Sequence, residues 1–220
     1  MTLAKLNQEL VVKALDWAYD KALNGLPGTD TAEELAESYL RKAKSIDEAA
    51  DSLIRWQVSK SATSGFLTGL GGIVTLPVAI PANLASVLYV QMRMIAAIAH
   101  MGGYDLRDDK VKTFVYMCFC GNGVKDIIKD IGIVLGQKLT KAAIEKISGS
   151  VITKINQKVG FRLLTKFGSK GVVNLGKMVP LAGGLIGGTA DGVSTVAIGK
   201  VAKKMFIQNG NDDFAVPLNA

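Results

Sequence analysis

The sequence predicts an all-α protein, a single multi-helix domain of about eight or nine helices with apolar hairpins broken by glycine and proline. Apolar residues recur at helical spacing between capping motifs along most of the 220 residues. No strand pattern competes with them, because the β-branched runs at 73–75 and 172–173 are too short to build a sheet. With 49% hydrophobic residues, the chain has enough apolar mass for a packed core.

Residues 1–60 form the first of three predicted segments. They contain three amphipathic helices, at about 3–24, 31–43 and 45–63. Thr31 with Glu34, and Ser45 with Glu48, have the spacing of a capping box, in which two side chains bind free backbone N–H groups at the start of a helix. The first segment therefore has the amphipathic pattern of helices that pack with one face on a core.

The second segment, 61–206, opens with 32 uncharged residues at 61–92. A run of that length is long enough to span a bilayer. Pro77 and Pro81 interrupt it, because proline lacks an N–H donor and breaks a helix. The sequence therefore predicts a Gly-rich connector and a new helix over about 83–101, forming a buried hairpin able to meet a membrane rather than a single span.

More helices are predicted after this hairpin. Asp108 caps a helix that carries the apolar residues of 114–119. Three further helices follow, at about 123–136, 137–148 and 150–168. A second Gly-rich apolar stretch, 171–190, separates them from a last helix over about 192–206. Residues 207–220 form the third segment, a flexible polar tail.

Glycines recur at four-residue spacing in three places. They are Gly65 and Gly69, Gly132 and Gly136, and Gly184, Gly188 and Gly192. Small residues four apart on a helix allow a second helix to approach closely, as in a glycine zipper. The pattern occurs both in membrane helices and in tightly packed soluble cores, so both interpretations stay open.

The basic residues of the C-terminal part form the clearest periodic signal. Residues 150–210 contain nine Lys and Arg and one Asp, within a chain of net charge +7. Basic residues recur there at every fourth position, and we call them the basic ladder: Lys154, Lys158, Arg162, Lys166 and Lys170. On a helix they share a slowly winding face, with Ile155, Val159 and Leu163 on the other side.

A basic amphipathic helix is typical of proteins that bind anionic membrane surfaces. The alternative is an ordinary solvated face. No acidic residue occurs between 146 and 190, which favours binding to an anionic surface. No recognisable nucleic-acid-binding module accompanies the ladder, so we expect no nucleic-acid partner.

A polar pattern interrupts the helix predicted over 83–101. Ser86, Arg93 and His100 recur at heptad spacing with Tyr89 alongside, and we call these four residues the polar seam. The seam is interpreted either as the lining of a cleft or as a solvent-facing edge, and the edge is the more common explanation of such a pattern.

Asp191 is a further candidate site residue and is grouped with the polar seam. It is the only acid between Glu145 and Asp212 and lies in an apolar run. A lone acid inside a membrane is costly and functional. The interpretation we favour is that Asp191 is the N-cap of the last helix.

Few residues of this sequence are suited to catalysis or metal binding. His100 is the only histidine, and Cys118 and Cys120 are the only cysteines. Two cysteines two positions apart on a helix point in different directions, so they are interpreted as buried core residues. No catalytic residue, metal site or cofactor is identified, which favours a non-enzymatic role. The low cysteine content and the lack of a signal peptide predict a cytoplasmic location.

Several stretches, taken together and in order, resemble the EcsC protein family. They are GFLTGLGGIVTLPVAIPANLA, RMIAAIAHMGGYDL, KLTKAAIEKI, VGFRLLTKFGSKGVVNLGKMVPLAGGLIGG and DGVSTVAIGKVAKKMF. The resemblance covers about residues 60–206. It implies a helical, membrane-linked protein of bacteria or phages without an established enzymatic activity, so it assigns no catalytic residue.

These observations predict a non-enzymatic cytoplasmic protein that associates peripherally with a membrane. The basic ladder would dock on anionic lipid, and the apolar segments 61–81 and 171–190 would pack together or insert as short hairpins. A membrane protein is a further candidate partner. Two alternatives stay open: a soluble interaction module that binds an apolar ligand or a protein in a groove edged by the polar seam, and a lipid-acting hydrolase that uses His100.

Overall fold

The computed structural model describes residues 8–61, 82–131, 141–167 and 184–207. These residues form nine α-helices and a 3₁₀ turn, with no strand among them, which confirms the all-α prediction. The helices are α1 (Gln8–Asn24), α2 (Ala32–Leu40), α3 (Ile46–Ser61), α4 (Ala82–Met101), α5 (Asp109–Cys118), α6 (Val124–Ile131), α7 (Lys141–Glu145), α8 (Gly149–Phe167) and α9 (Gly184–Phe206). The 3₁₀ turn, Gly121–Gly123, directly precedes α6.

The N-termini of α2 and α3 are capped by the residues that the sequence indicates. At α2, the Thr31 hydroxyl accepts from the N–H of Glu34 at 3.1 Å, and the Glu34 carboxylate accepts from the N–H of Thr31 at 2.8 Å. At α3, the Ser45 hydroxyl accepts from the N–H of Glu48. The Glu48 carboxylate differs from a standard capping box, because it accepts from the N–H of Lys44 at 2.8 Å.

The centre of the fold is α4, which contacts α1, α2, α3, α5 and α9. Every residue from 88 to 99 is buried, so this helix has no solvent-facing side over three turns. The C-terminal part of the long uncharged run is therefore the middle of a helical core, while residues 62–81 lie outside the described residues. No helix in the described ranges is both long and apolar enough to cross a membrane.

The helices before residue 62 and those after residue 81 share this core. Lys203 near the end of α9 contacts Asp47 near the start of α3, so these two helices are antiparallel. Gly102, directly after α4, lies against Phe206 at the end of α9, so α4 and α9 are parallel. The end of α3, the start of α4 and the start of α9 consequently lie at one end of the bundle. On the other flank, α8 packs against α1, α5 and α6.

Some predicted helix ends differ from the observed ones. Asp108 caps α5 as predicted, with its carboxylate accepting from the N–H of Lys110 at 2.7 Å. The last helix, however, begins at Gly184, so Asp191 lies inside α9 and the N-cap prediction is wrong. The last helix, predicted over about 192–206, starts eight residues before its predicted start and includes the end of the apolar stretch 171–190. Glycine is a weak helix former, but such propensity is a small term that tertiary packing overrides.

Replacement of Gly102 by alanine tests the contact between the ends of α4 and α9. A Cβ atom at this position would overlap the carbonyl oxygen of Phe206, and neither backbone can rotate away as a side chain can. We expect Gly102→Ala to lower the free energy of unfolding by about 1–3 kcal/mol, measured by urea denaturation.

The matched control for that substitution is Gly149→Ala, at the start of α8. A Cβ atom there meets nothing within 4 Å, so we expect a change within about 0.5 kcal/mol. Equal effects of the two substitutions would contradict the close backbone contact at Gly102.

Candidate anionic-surface site

The helix α8 carries the basic ladder and separates its two faces as the sequence pattern indicates. Ile155, Val159 and Leu163 are buried against the core. Lys154 is exposed, and Lys158 and Arg162 are partly exposed at the side of the helix that faces α6. Of the other two ladder residues, Lys166 belongs to the last turn of α8 and its side chain is outside the described part of the structure, as is all of Lys170.

Two residues of the ladder are paired with acids of α6. Lys158 Nζ lies 2.6 Å from Asp130 Oδ2, and Arg162 Nη2 lies 2.6 Å from Asp126 Oδ2. The hydrogen bond from Lys158, together with its charge, holds the pKa of Asp130 below its ordinary value. The ladder is therefore partly neutralised within the protein, although the sequence between 146 and 190 contains no acid.

Arg162 has a second contact that fixes its direction. Its guanidinium group lies directly over Gly123 in the 3₁₀ turn, in the space that a Cβ atom would occupy. Glycine at this position therefore leaves room for the side chain to pass over the turn and to reach Asp126. The arginine is consequently directed sideways towards α6 rather than outward into solvent.

Phe161 is the functional candidate that the sequence analysis missed. It is 62% exposed, the highest value among the large hydrophobic side chains in the described part of the chain. It follows Lys154 by seven residues, or two helical turns, so both lie on the same outer face of α8. The sequence does contain a signal for this exposure. Phe161 lies two positions from Val159 and from Leu163, so it is on the opposite side of the helix from these buried residues.

The outer surface of α6 and α8 keeps a positive charge after internal pairing. The described side chains of these two helices include five cations and two carboxylates. They are Lys125, Lys129, Lys154, Lys158 and Arg162, with Asp126 and Asp130. We call this surface, including Phe161, the α6–α8 surface. It combines an excess of positive charge with one protruding aromatic side chain.

The polar seam is not a solvent-facing edge. Tyr89 and Arg93 are 0% and 6% exposed, and they lie beneath the connection between α1 and α2. The Tyr89 hydroxyl lies 2.7 Å from Thr29 Oγ1, and Arg93 Nη1 donates to the carbonyl oxygen of Asp30 at 3.0 Å. The Arg93 guanidinium also lies over the Tyr89 ring, 5.4 Å from its centroid. The seam thus holds the chain's own connection in place.

The other members of the predicted site are dispersed. Ser86 is buried in α4, and His100 lies at the far end of that helix, with Nε2 3.4 Å from Glu37 Oε1 of α2. The side chain of Asp191 is outside the described part of the structure. The imidazole of His100 faces a carboxylate, and none of the contacts described for it involves a hydroxyl or thiol nucleophile.

Cys118 and Cys120 differ in their environments. Cys118 is fully buried, its Sγ lies 3.7 Å from Met205 Sδ, and burial raises the pKa of its thiol. Cys120 is only half-buried, so the prediction of two buried cysteines is wrong for that residue. In the described ranges, no three His, Cys, Asp or Glu side chains are grouped so that they could hold a metal ion.

A buried lysine joins α9 to α3. The Lys203 side chain is 9% exposed, and its Nζ lies 2.8 Å from Asp47 and 2.7 Å from Asp51. Burial by itself lowers the pKa of Lys203, but the hydrogen bonds to the two carboxylates raise it above the ordinary value. Because both partners come from a helix distant in sequence, this ion pair was not predictable from spacing along the chain.

A second polar cluster joins α1 to α5. Tyr19 donates to the carbonyl oxygen of Leu106 at 2.6 Å, and Tyr116 donates to Asp16 at 2.8 Å. Lys112 lies 2.7 Å from Asp16 and near both tyrosine rings. Burial, followed by the nearby carboxylates, raises the pKa of both tyrosines. These contacts connect two helices of the core and leave the α6–α8 surface as the candidate site.

The fold and this surface define the class of the protein as an all-α protein with a basic, aromatic-bearing outer face. The chain matches the model of the EcsC protein family over residues 4–208, and it therefore belongs to that family. The match begins well before residue 60, so the three N-terminal helices lie within the matched region. No curated protein and no solved structure matches the chain.

Replacement of Tyr116 by phenylalanine tests the polar cluster between α1 and α5. We expect a loss of about 1 kcal/mol near neutral pH, because the hydrogen bond to Asp16 is removed. Tyr116 has a raised pKa in the folded protein, so its contribution is complete below the unfolded pKa of about 10 and is lost as the pH rises above it.

The stability of Tyr116→Phe should therefore fall less steeply than that of the wild type above about pH 10, measured by urea unfolding at stepped pH. Lys203 also has a raised pKa, so its contribution to stability is lost as the pH rises. Because Lys203 is present in both proteins, this loss cancels when their stabilities are compared. Parallel pH curves for the two proteins would show that Tyr116 ionises freely in the folded state.

Proposed function

We propose that this protein is a non-enzymatic helical protein that docks on the anionic surface of a membrane through the α6–α8 surface. The observation that carries the proposal is the exposure of Phe161 on the same outer face as Lys154. Cations near an anionic bilayer are attracted by its surface potential. An aromatic side chain among them enters the boundary between headgroups and acyl chains, where its burial is favourable.

A merely solvated basic face explains the ladder less well. Such a face has no need of a large aromatic side chain, and leaving a phenylalanine in water forgoes the gain of burying it. The outer positions of α8 otherwise carry polar residues such as Gln157 and Thr165, so Phe161 is an exception to the pattern. This exception favours a surface with an apolar interior as the partner.

The arrangement of the helix ends is compatible with a contribution from the apolar segments. The end of α3, the start of α4 and the start of α9 lie at one end of the bundle and flank residues 62–81 and 168–183. The sequence predicts that the apolar segments 61–81 and 171–190 pack together or insert as short hairpins. Residues 62–81 and 168–183 lie outside the described residues, so this part of the proposal rests on the sequence pattern, and the docking experiment below does not require it.

Vesicle flotation tests the docking itself. We expect the full chain to float with vesicles of phosphatidylcholine and phosphatidylglycerol, and not with phosphatidylcholine alone, and added salt should weaken the binding. Phe161→Ser should weaken partition roughly tenfold, because the apolar contact is lost. Lys154→Gln should weaken it roughly fivefold, because one cation near the surface is lost.

Two control variants make the same kinds of substitution at exposed positions outside the α6–α8 surface. Ile46→Ser removes an exposed apolar side chain at the start of α3, and Lys42→Gln removes an exposed charge between α2 and α3. Neither should weaken partition as the corresponding change on α8 does. The proposal is rejected if the wild type stays with the soluble fraction, or if Phe161→Ser binds as tightly as Ile46→Ser.

A further inference from the structure

We infer that Asp126 and Asp130 of α6 compete with the membrane for the cations of α8, so that docking exchanges two internal ion pairs for contacts with anionic headgroups. The inference rests on the proposed function and concerns its regulation. It follows from a difference among three cations of α8: Lys158 and Arg162 are paired with acids of α6, whereas Lys154 is not.

The two acids are placed to match the two cations. Asp126 and Asp130 are four residues apart on α6, and Arg162 and Lys158 are four residues apart on α8. Each pair is joined at 2.6 Å across the contact between the two helices. Because residues four apart lie on one helix face, the two ion pairs form one row along the α6–α8 contact.

The ion pairs are at the surface and can be exchanged. In both pairs the cationic and the acidic side chains are substantially exposed, so water solvates the partners when they separate. The ion pairs of Lys203 differ from these, because the Lys203 side chain is buried and water cannot readily solvate it if the pairs separate. The α6–α8 pairs can therefore open without disrupting the core.

The α6–α8 surface also contains Lys154, which is the third cation of α8, and Phe161. Lys154 has no ion pair among the described residues, so it is available to an anionic surface without any rearrangement. Arg162 is directed towards α6 by the contact with Gly123 as well as by Asp126. Of the three described cations of α8, Lys154 is thus available beside Phe161, while Lys158 and Arg162 are bound by the acids of α6.

The consequence is that the acids of α6 limit the affinity of docking. Removing their charge should free Lys158 and Arg162 for headgroups. Each additional cation near an anionic membrane strengthens binding severalfold, so Asp126→Asn/Asp130→Asn should bind roughly tenfold more tightly than the wild type. Its binding should also fall more steeply with salt, because more cations take part.

The experiment compares vesicle partition of full-length variants on phosphatidylcholine–phosphatidylglycerol vesicles over a range of salt concentrations. The matched control is Glu33→Gln/Glu37→Gln on α2, which changes the net charge equally and removes exposed contacts to Arg107 and His100. That control should gain much less affinity, because the two acids of α2 bind Arg107 and His100 and not the cations of α8. Thermal unfolding by circular dichroism verifies that each variant is folded.

A second comparison isolates the two cations. In a Lys158→Gln/Arg162→Gln background, the substitutions at Asp126 and Asp130 should no longer strengthen binding, because the side chains that they release are absent. A gain that persists in this background would overturn the inference.

The outcomes separate this inference from the function on which it rests. If the wild type binds and Asp126→Asn/Asp130→Asn gains no more than the α2 control, the competition is refuted while the docking stands. If neither protein binds the vesicles, the proposed function fails, and the inference is overturned with it.

Discussion

The complete burial of α4 is the constraint on which the rest of the structure depends. A helix without a solvent-facing side needs neighbours all around it, and α1, α2, α3, α5 and α9 supply them. It also needs a partner for each polar group that it carries, because an unpaired buried polar group is costly. Other segments meet part of this need: Arg93 Nη1 donates to the carbonyl oxygen of Asp30, and Gln91 Nε2 donates to Thr195 at 3.1 Å. Gln91 Oε1 and Arg93 Nε have no hydrogen-bond partner among the described residues.

This constraint also determines which helices are free to form a surface. The helices around α4 use their apolar faces in the core, and α9 is also joined to α3 by the buried Lys203 side chain, which contacts Asp47. The main packing partners of α8 are α1, α5 and α6, and α6 and α8 are joined to each other by exposed ion pairs. The basic outer face therefore lies where two helices are joined by exposed ion pairs, which can be exchanged for other partners.

The local features of the sequence were predictable because they depend on residues within one or two helical turns. The caps at Thr31 and Asp108, and the buried side of α8, are of this kind. Other features depend on contacts between distant parts of the chain. Asp126 and Asp130 lie 36 and 28 residues from the cations that they bind, and no spacing rule connects them. The helical start of α9 was missed because glycine propensity was given too much weight against packing.

The sequence alone determined the helical class, most of the helix starts and the presence of a basic amphipathic helix, because caps and periodicity act through neighbours along the chain. Only the tertiary structure decided what the charged and polar residues do. It buried Tyr89 and Arg93 under the α1–α2 connection, paired Lys158 and Arg162 with α6, and left Phe161 exposed. The reason is that burial and ion pairing depend on which elements become neighbours in space, and the packing of the helices against one another decides that.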